Sequence, residues 1–228
     1  MKQERYLYKQ QAVSNMVGKY GVVIPALLLI GFVESGLSAL VTANRPKVDP
    51  QTMVLISAGN PTLVFGFSVI GFIVGAILLY STTKMFILTS DNELPVLEEI
   101  LVIGIKEKPM RSIALQFLVT LFTVLWILLF IIPGIIKAYA YSMSFYLLFR
   151  KPELIASEAI DESKKLTDGY KSDLFVLDLS YLGWYFIGIF TFGILWFWIM
   201  PKHMTARTLY FKEIYEENYP NKNIIEEE

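Results

Sequence analysis

An aspartate, a histidine and an arginine, Asp178, His203 and Arg207, lie in two largely apolar stretches joined by Thr191-Phe192-Gly193. Folding these stretches back on each other about Phe192, as antiparallel helices, brings Asp178 level with about Ala206. Arg207 is then the nearest cation, with His203 one turn away and Tyr181 level with it. Pro201 frees a backbone carbonyl one turn earlier, so Lys202 and His203 border a polar crevice. Such a trio could relay a proton or hold a substrate charge; it could equally close as a structural Asp-Arg lock. Two further charges sit in apolar runs, Glu34 and Lys137. A charge costs about 2.5–3.5 kcal/mol at the centre of a membrane helix and normally finds a partner. Glu34 and Lys137 match in depth and could pair, or each could snorkel to the outer interface.

The search for catalytic signatures is negative. There is no phosphate-binding glycine loop, dinucleotide fingerprint, zinc-binding histidine pair or nucleophile elbow. His203 is the only histidine and cysteine is absent, which removes disulfides, thiolate metal sites and cysteine nucleophiles. No catalytic residue, metal or cofactor is expected. A net charge of -1 gives no field for nucleic acid.

Apolar residues make up 54% of the 228 positions and charged residues 18%, below the usual quarter. The elements that must position the charges are therefore membrane helices. A span needs about 20 residues, and six segments qualify, though two are short: 20–41, 61–81, 112–132, 135–149, 174–190 and 194–210; four spans with re-entrant hairpins are the alternative. Pro133-Gly134 is expected to turn the third span into the fourth, and Gly193 the fifth into the sixth. The first run follows a long basic leader and continues past Glu34, so it reads as an uncleaved span rather than a signal peptide.

The basic residues give an independent orientation. With the N-terminus inside, the inner segments 1–19, 82–111, 150–173 and the tail from about 202 hold four, four, five and four of the twenty. The outer loop 42–60 holds Arg45 and Lys47 alone, and the outer turns hold none. This is the positive-inside pattern at every crossing. The expected fold is an all-α polytopic bundle, one integral domain over 1–228, with both termini inside. Trp184, Tyr185, Trp196 and Trp198 read as an outer-leaflet belt and bundle packing.

Two inner connections carry helical patterns. In 153–168, Ile155, Ala159, Ile160 and Leu166 share one face and Glu158, Asp161, Glu162, Lys164 and Lys165 fall largely opposite. This amphipathic helix should lie along the cytoplasmic interface or pack under the bundle. Around 94–106, Leu97, Leu101 and Ile105 form a second apolar face. Pro133-Gly134-Ile135 and Phe192-Gly193-Ile194 echo each other weakly, as internal repeats would, although two hairpins of like length also match this well by chance.

Leu125-Trp126, Ile132-Pro133-Gly134-Ile135-Ile136-Lys137 and Tyr141-Ser142-Met143 resemble an uncharacterised bacterial integral-membrane family, domain of unknown function 975. Ala159-Ile160, Ser163-Lys164, Gly169-Tyr170-Lys171, Leu174-Phe175, Leu179-Ser180-Tyr181 and Gly183-Trp184 resemble its second signature. The resemblance spans about 96–216. It departs at Pro201-Lys202-His203, where the family usually shows a Pro-aromatic pair. The family is also similar to a membrane domain attached to some bacterial glycerophosphodiesterases, which implies a membrane-embedded accessory role. The expectation is a non-catalytic accessory, assembly or protection factor (envelope stress or bacteriocin immunity) of the bacterial cytoplasmic membrane. Its partners would be the lipid bilayer and a membrane protein or a second copy. A small transporter or channel using Asp178, His203 and Arg207 is the alternative, and a membrane-embedded enzyme the third.

Overall fold

The computed structural model describes residues 5–107 and 109–220, apart from the side chains of Arg5, Glu99, Ile100, Leu101 and Ile103. Lys2, Lys108 and Lys222, counted above as inner basic residues, and the Leu101 side chain lie outside the described residues.

The chain opens with α1 (Arg5–Met16), where the sequence reading expected only a charged leader. Tyr8, Ala12 and Met16 recur every four residues and are buried. The Tyr8 ring stands edge-on to Tyr210 at 5.2 Å and its hydroxyl donates to Glu213. α2 (Tyr20–Ala43) leads into a hairpin of β1 (Lys47–Val48) and β2 (Leu55–Ser57), paired antiparallel. α3 (Pro61–Ser90) starts on an Asn60 side-chain cap, with Pro61 at a first-turn position that needs no N–H partner. α4 (Leu97–Lys106) lies on α3, and its Gly104 N–H donates to Ser81 Oγ at 3.2 Å. Ile105, assigned above to its apolar face, is exposed; the buried contact runs through Gly104 instead.

α5 (Pro109–Leu129) and α6 (Ile131–Tyr141) form the hairpin expected at Pro133-Gly134, but the chain turns earlier. Phe130 is the extended residue between them (φ -155°, ψ 127°), and Pro133 sits inside the first turn of α6. That position lacks an intrahelical N–H bond in any case, so proline fits there. Gly134 serves the packing: a Cβ on it would stand 2.5 Å from Ile127 Cγ1 and 2.8 Å from Ile127 Cα. The fourth segment then breaks at Ser142-Met143 before α7 (Ser144–Arg150).

α8 (Ala156–Leu166) packs under the bundle. Ala156, Ala159, Ile160, Ser163 and Leu166 are buried, whereas Ile155 is exposed. Ile155 is the extended residue before the helix (φ -86°, ψ 166°), so the helical period that put it on the inner face does not reach it. Its N–H is held by Glu158 Oε2 at 2.9 Å.

α9 (Lys171–Phe190) and α10 (Trp196–Asn218) form the last hairpin. Gly193 takes φ +83°, a conformation costly for any side chain, and its N–H reaches the Gly188 carbonyl at 3.0 Å. Among the described residues, five segments are long and apolar enough to cross a membrane: α2, α3, α5, 131–150 and α9. They mark an all-helical membrane protein. The sixth expected span is helical, but α10 carries Lys202, His203, Arg207 and Lys212 and falls outside that group.

Candidate functional site

The antiparallel α9–α10 hairpin places Asp178 against His203 and Arg207. Asp178 Oδ1 lies 2.9 Å from His203 Nε2, and Oδ2 lies 3.3 Å from Arg207 Nη1. Tyr139 of α6 donates its hydroxyl to Oδ2 at 2.9 Å. A carboxylate only accepts, so Nε2 carries a proton in this network, and Nδ1 pairs with the Tyr185 hydroxyl, 3.1 Å away. Tyr181 stacks on the imidazole with ring centres 4.5 Å apart. Lys9 of α1 lies over the other part of this stack, 4.7 Å from the Tyr181 ring, and donates to the Ser180 carbonyl at 3.2 Å.

His203 is buried, its side chain 9% exposed against 18% for Asp178 and 21% for Arg207. Both carboxylate oxygens and both imidazole nitrogens are thus engaged inside the protein. Counting residues about Phe192 suffices to bring Asp178, His203, Arg207 and Tyr181 together. Tyr139 comes from another hairpin, and nothing in its local sequence points to Asp178. Tyr185, read above as belt aromatic, serves His203, and its carbonyl accepts from Trp196 Nε1 at 3.0 Å.

Glu34 and Lys137 are kept apart. No ion pair joins them among the described residues: Lys137 Nζ lies 4.8 Å from the centre of the Trp126 ring, and Glu34 borders a groove between α2 and α3. α2 packs on α3, whereas Lys137 belongs to the α5–α6 hairpin, so the shared depth does not bring them within reach.

Ser163 of α8 marks a different kind of position. Its hydroxyl donates to the Ala140 carbonyl at 2.8 Å and accepts the Met143 N–H at 3.2 Å, the two groups freed by the break between α6 and α7. Thr167 adds a second donor to Ala140 at 3.3 Å.

A cavity of about 570 Å³ lies between α3, α5, α6–α7 and α10, with Arg207 on its wall. Among the described residues, no group of three His, Cys, Asp or Glu side chains could hold a metal ion.

Residues 127–218 match the family model described as a protein of unknown function, DUF975. This match supports the resemblance to domain of unknown function 975 drawn from the sequence. The DUF975 match runs from the last turn of α5 to the end of α10, so it takes in Tyr139, Ser163, Asp178, His203 and Arg207 together. It takes in the end of α5, then α6, α7, α8 and the α9–α10 hairpin, and starts later than the resemblance drawn over about 96–216. No curated protein and no solved structure matches the chain.

Proposed function

We propose that this protein is a non-catalytic accessory, assembly or protection factor of the bacterial cytoplasmic membrane, with six spans, both termini inside and one integral domain. The observation that carries this reading is the closure of the Asp178 network. Asp178 is shared by His203, Arg207 and Tyr139, and His203 is completed by Tyr185. A buried charge set so engaged favours holding helices in one arrangement over passing a proton along a path. The sixth crossing is supported by the same set, because α10's buried charges find their partners on its neighbour. Its outward-facing inner elements supply a docking side: Glu158, Asp161 and Lys165 of α8 are exposed, and a membrane protein partner or a second copy would meet them there. The face of α8 that carries Ala159, Ile160 and Leu166 is spent on the bundle itself.

A deletion strain tests the role. Increased killing by antimicrobial peptides or envelope stress, restored by the wild-type chain, supports protection or assembly. A small transporter is the second reading, because the cavity abuts Arg207. That reading requires solute flux in proteoliposomes that Asp178→Asn abolishes while the protein still folds. Flux of this kind, together with an unaltered stress response in the deletion strain, would overturn the accessory role.

A further inference from the structure

The cavity between α3, α5, α6–α7 and α10 has the size of a small-molecule site, about 300–1,000 Å³ being usual, at about 570 Å³. Its rim faces hydrocarbon. Leu79 of α3, with Thr120 and Val124 of α5, line it and are exposed on helices apolar enough to cross the membrane. An occupant entering past these residues comes from the bilayer, not from water.

Two polar atoms on the cavity wall lack partners among the described residues. Arg207 Nε and Gln116 Oε1 are buried without a hydrogen bond, and both residues line the space. Arg207 commits Nη1 to Asp178, which leaves its Nε–H for an acceptor. Among the described residues, Arg207 is the single charged residue on the wall, and no carboxylate there could receive an ammonium group. Leaving the Arg207 Nε–H unpaired in a water-poor site is costly, so an oxyanion fits better than a purely apolar filling, while Gln116 Oε1, an acceptor, calls for a hydroxyl donor beside it.

Depth agrees with a lipid. α3 has 30 residues, about 45 Å of helix, which matches a bilayer with its headgroup layers. Thr82 and Thr83, on the cavity wall, then lie about 10 Å from the bilayer centre, near the inner edge of the hydrocarbon. The lining continues from there to Met200, Thr123 and Val124, further toward the outer side.

We propose that this cavity binds an anionic phospholipid of the cytoplasmic leaflet, one acyl chain between α3 and α5 and a phosphate oxygen accepting from Arg207 Nε. The leaflet rests on the orientation given under Proposed function; the site itself does not.

The test uses the full chain, purified in mild detergent, stripped of lipid and exposed to vesicles of phosphatidylglycerol or of phosphatidylethanolamine. Native mass spectrometry counts the lipid retained. The wild type keeps one phosphatidylglycerol per protomer, with retention about tenfold above phosphatidylethanolamine, as one charge-assisted hydrogen bond supplies. Arg207→Gln removes the preference. Thr123→Trp, which fills the cavity without touching Asp178, removes both lipids while circular dichroism and gel filtration stay those of the wild type. Equal retention of the two lipids by the wild type overturns the proposal. So does unchanged retention in folded Thr123→Trp, or a dimer that carries no lipid, which would assign the face to a second copy. Should Arg207→Gln not fold, Thr123→Trp decides alone. None of these results alters the deletion-strain readout, so failure here is distinct from failure of the accessory role.

Discussion

Ser163 Oγ accepts the backbone N–H of Met143 at 3.2 Å while donating to the Ala140 carbonyl at 2.8 Å. One side chain from α8 thereby replaces the backbone bonds lost where the fourth segment breaks. Ser163→Ala should lower stability by about 1–3 kcal/mol, the cost of leaving a buried backbone group unsatisfied. Denaturant titration of the purified protein in detergent measures this. A change near zero would mean that the break holds without α8.

Gly134 and Gly66 should respond oppositely to the same methyl group. At Gly134 a Cβ meets Ile127 at 2.5 Å, whereas at Gly66 nothing lies within 4 Å. Gly134→Ala should cost about 1–3 kcal/mol by overpacking, and Gly66→Ala should be neutral or gain up to about 1 kcal/mol of helix propensity. Thermal melts of the two variants, side by side, give the comparison. Equal behaviour would remove the close α5–α6 approach from the account.

Asp178→Asn should destabilise by about 3 kcal/mol or more, because it leaves Arg207 without its counter-charge in a buried site. Adding Arg207→Gln should recover part of that loss, so the double variant is less damaged than the sum of the singles. Strict additivity would show that the 3.3 Å contact carries no coupling.

Lys137 should couple to Trp126 and not to Glu34. The cation sits 4.8 Å from the Trp126 ring centre, an arrangement worth about 0.5–2 kcal/mol depending on solvation. A double-mutant cycle of Lys137→Gln with Trp126→Leu should show coupling in that range. The cycle with Glu34→Gln should be additive within about 0.5 kcal/mol.

The absence of cysteine makes orientation directly measurable. Single cysteines at Gln51 in the β1–β2 hairpin and at Phe192, which is 99% exposed, should react with a membrane-impermeant thiol reagent in intact cells. Cysteines at Ser157 and Glu216 should react only after permeabilisation. Labelling of Glu216→Cys from outside would remove the sixth crossing.

Much of the site was legible because helices have a fixed rise. Counting from the Phe192 turn places Asp178 opposite His203 and Arg207 without tertiary information. Tyr139 was hidden, since docking of one hairpin on another has no local signature. The break at Ser142-Met143 was hidden for the same reason: neither residue breaks helices, and the polar groups that stabilise the break come from α8. Ile155 and the Pro133-Gly134 turn show a different limit. Both lie at helix starts, where the helical period stops applying and proline is tolerated. α1 had a signal of its own, the four-residue recurrence of Tyr8, Ala12 and Met16 in a polar stretch.

α10 holds His203 and Arg207, whose counter-charge, Asp178, belongs to α9. Taken as the sixth crossing, such a helix has no favourable way into lipid alone, since each uncompensated charge opposes insertion. Its route into the bilayer during synthesis is therefore as the second arm of a pre-paired hairpin, after Asp178 has already been translated. Chain order, with the acid ahead of its two bases, is what makes that sequence of events available to the ribosome.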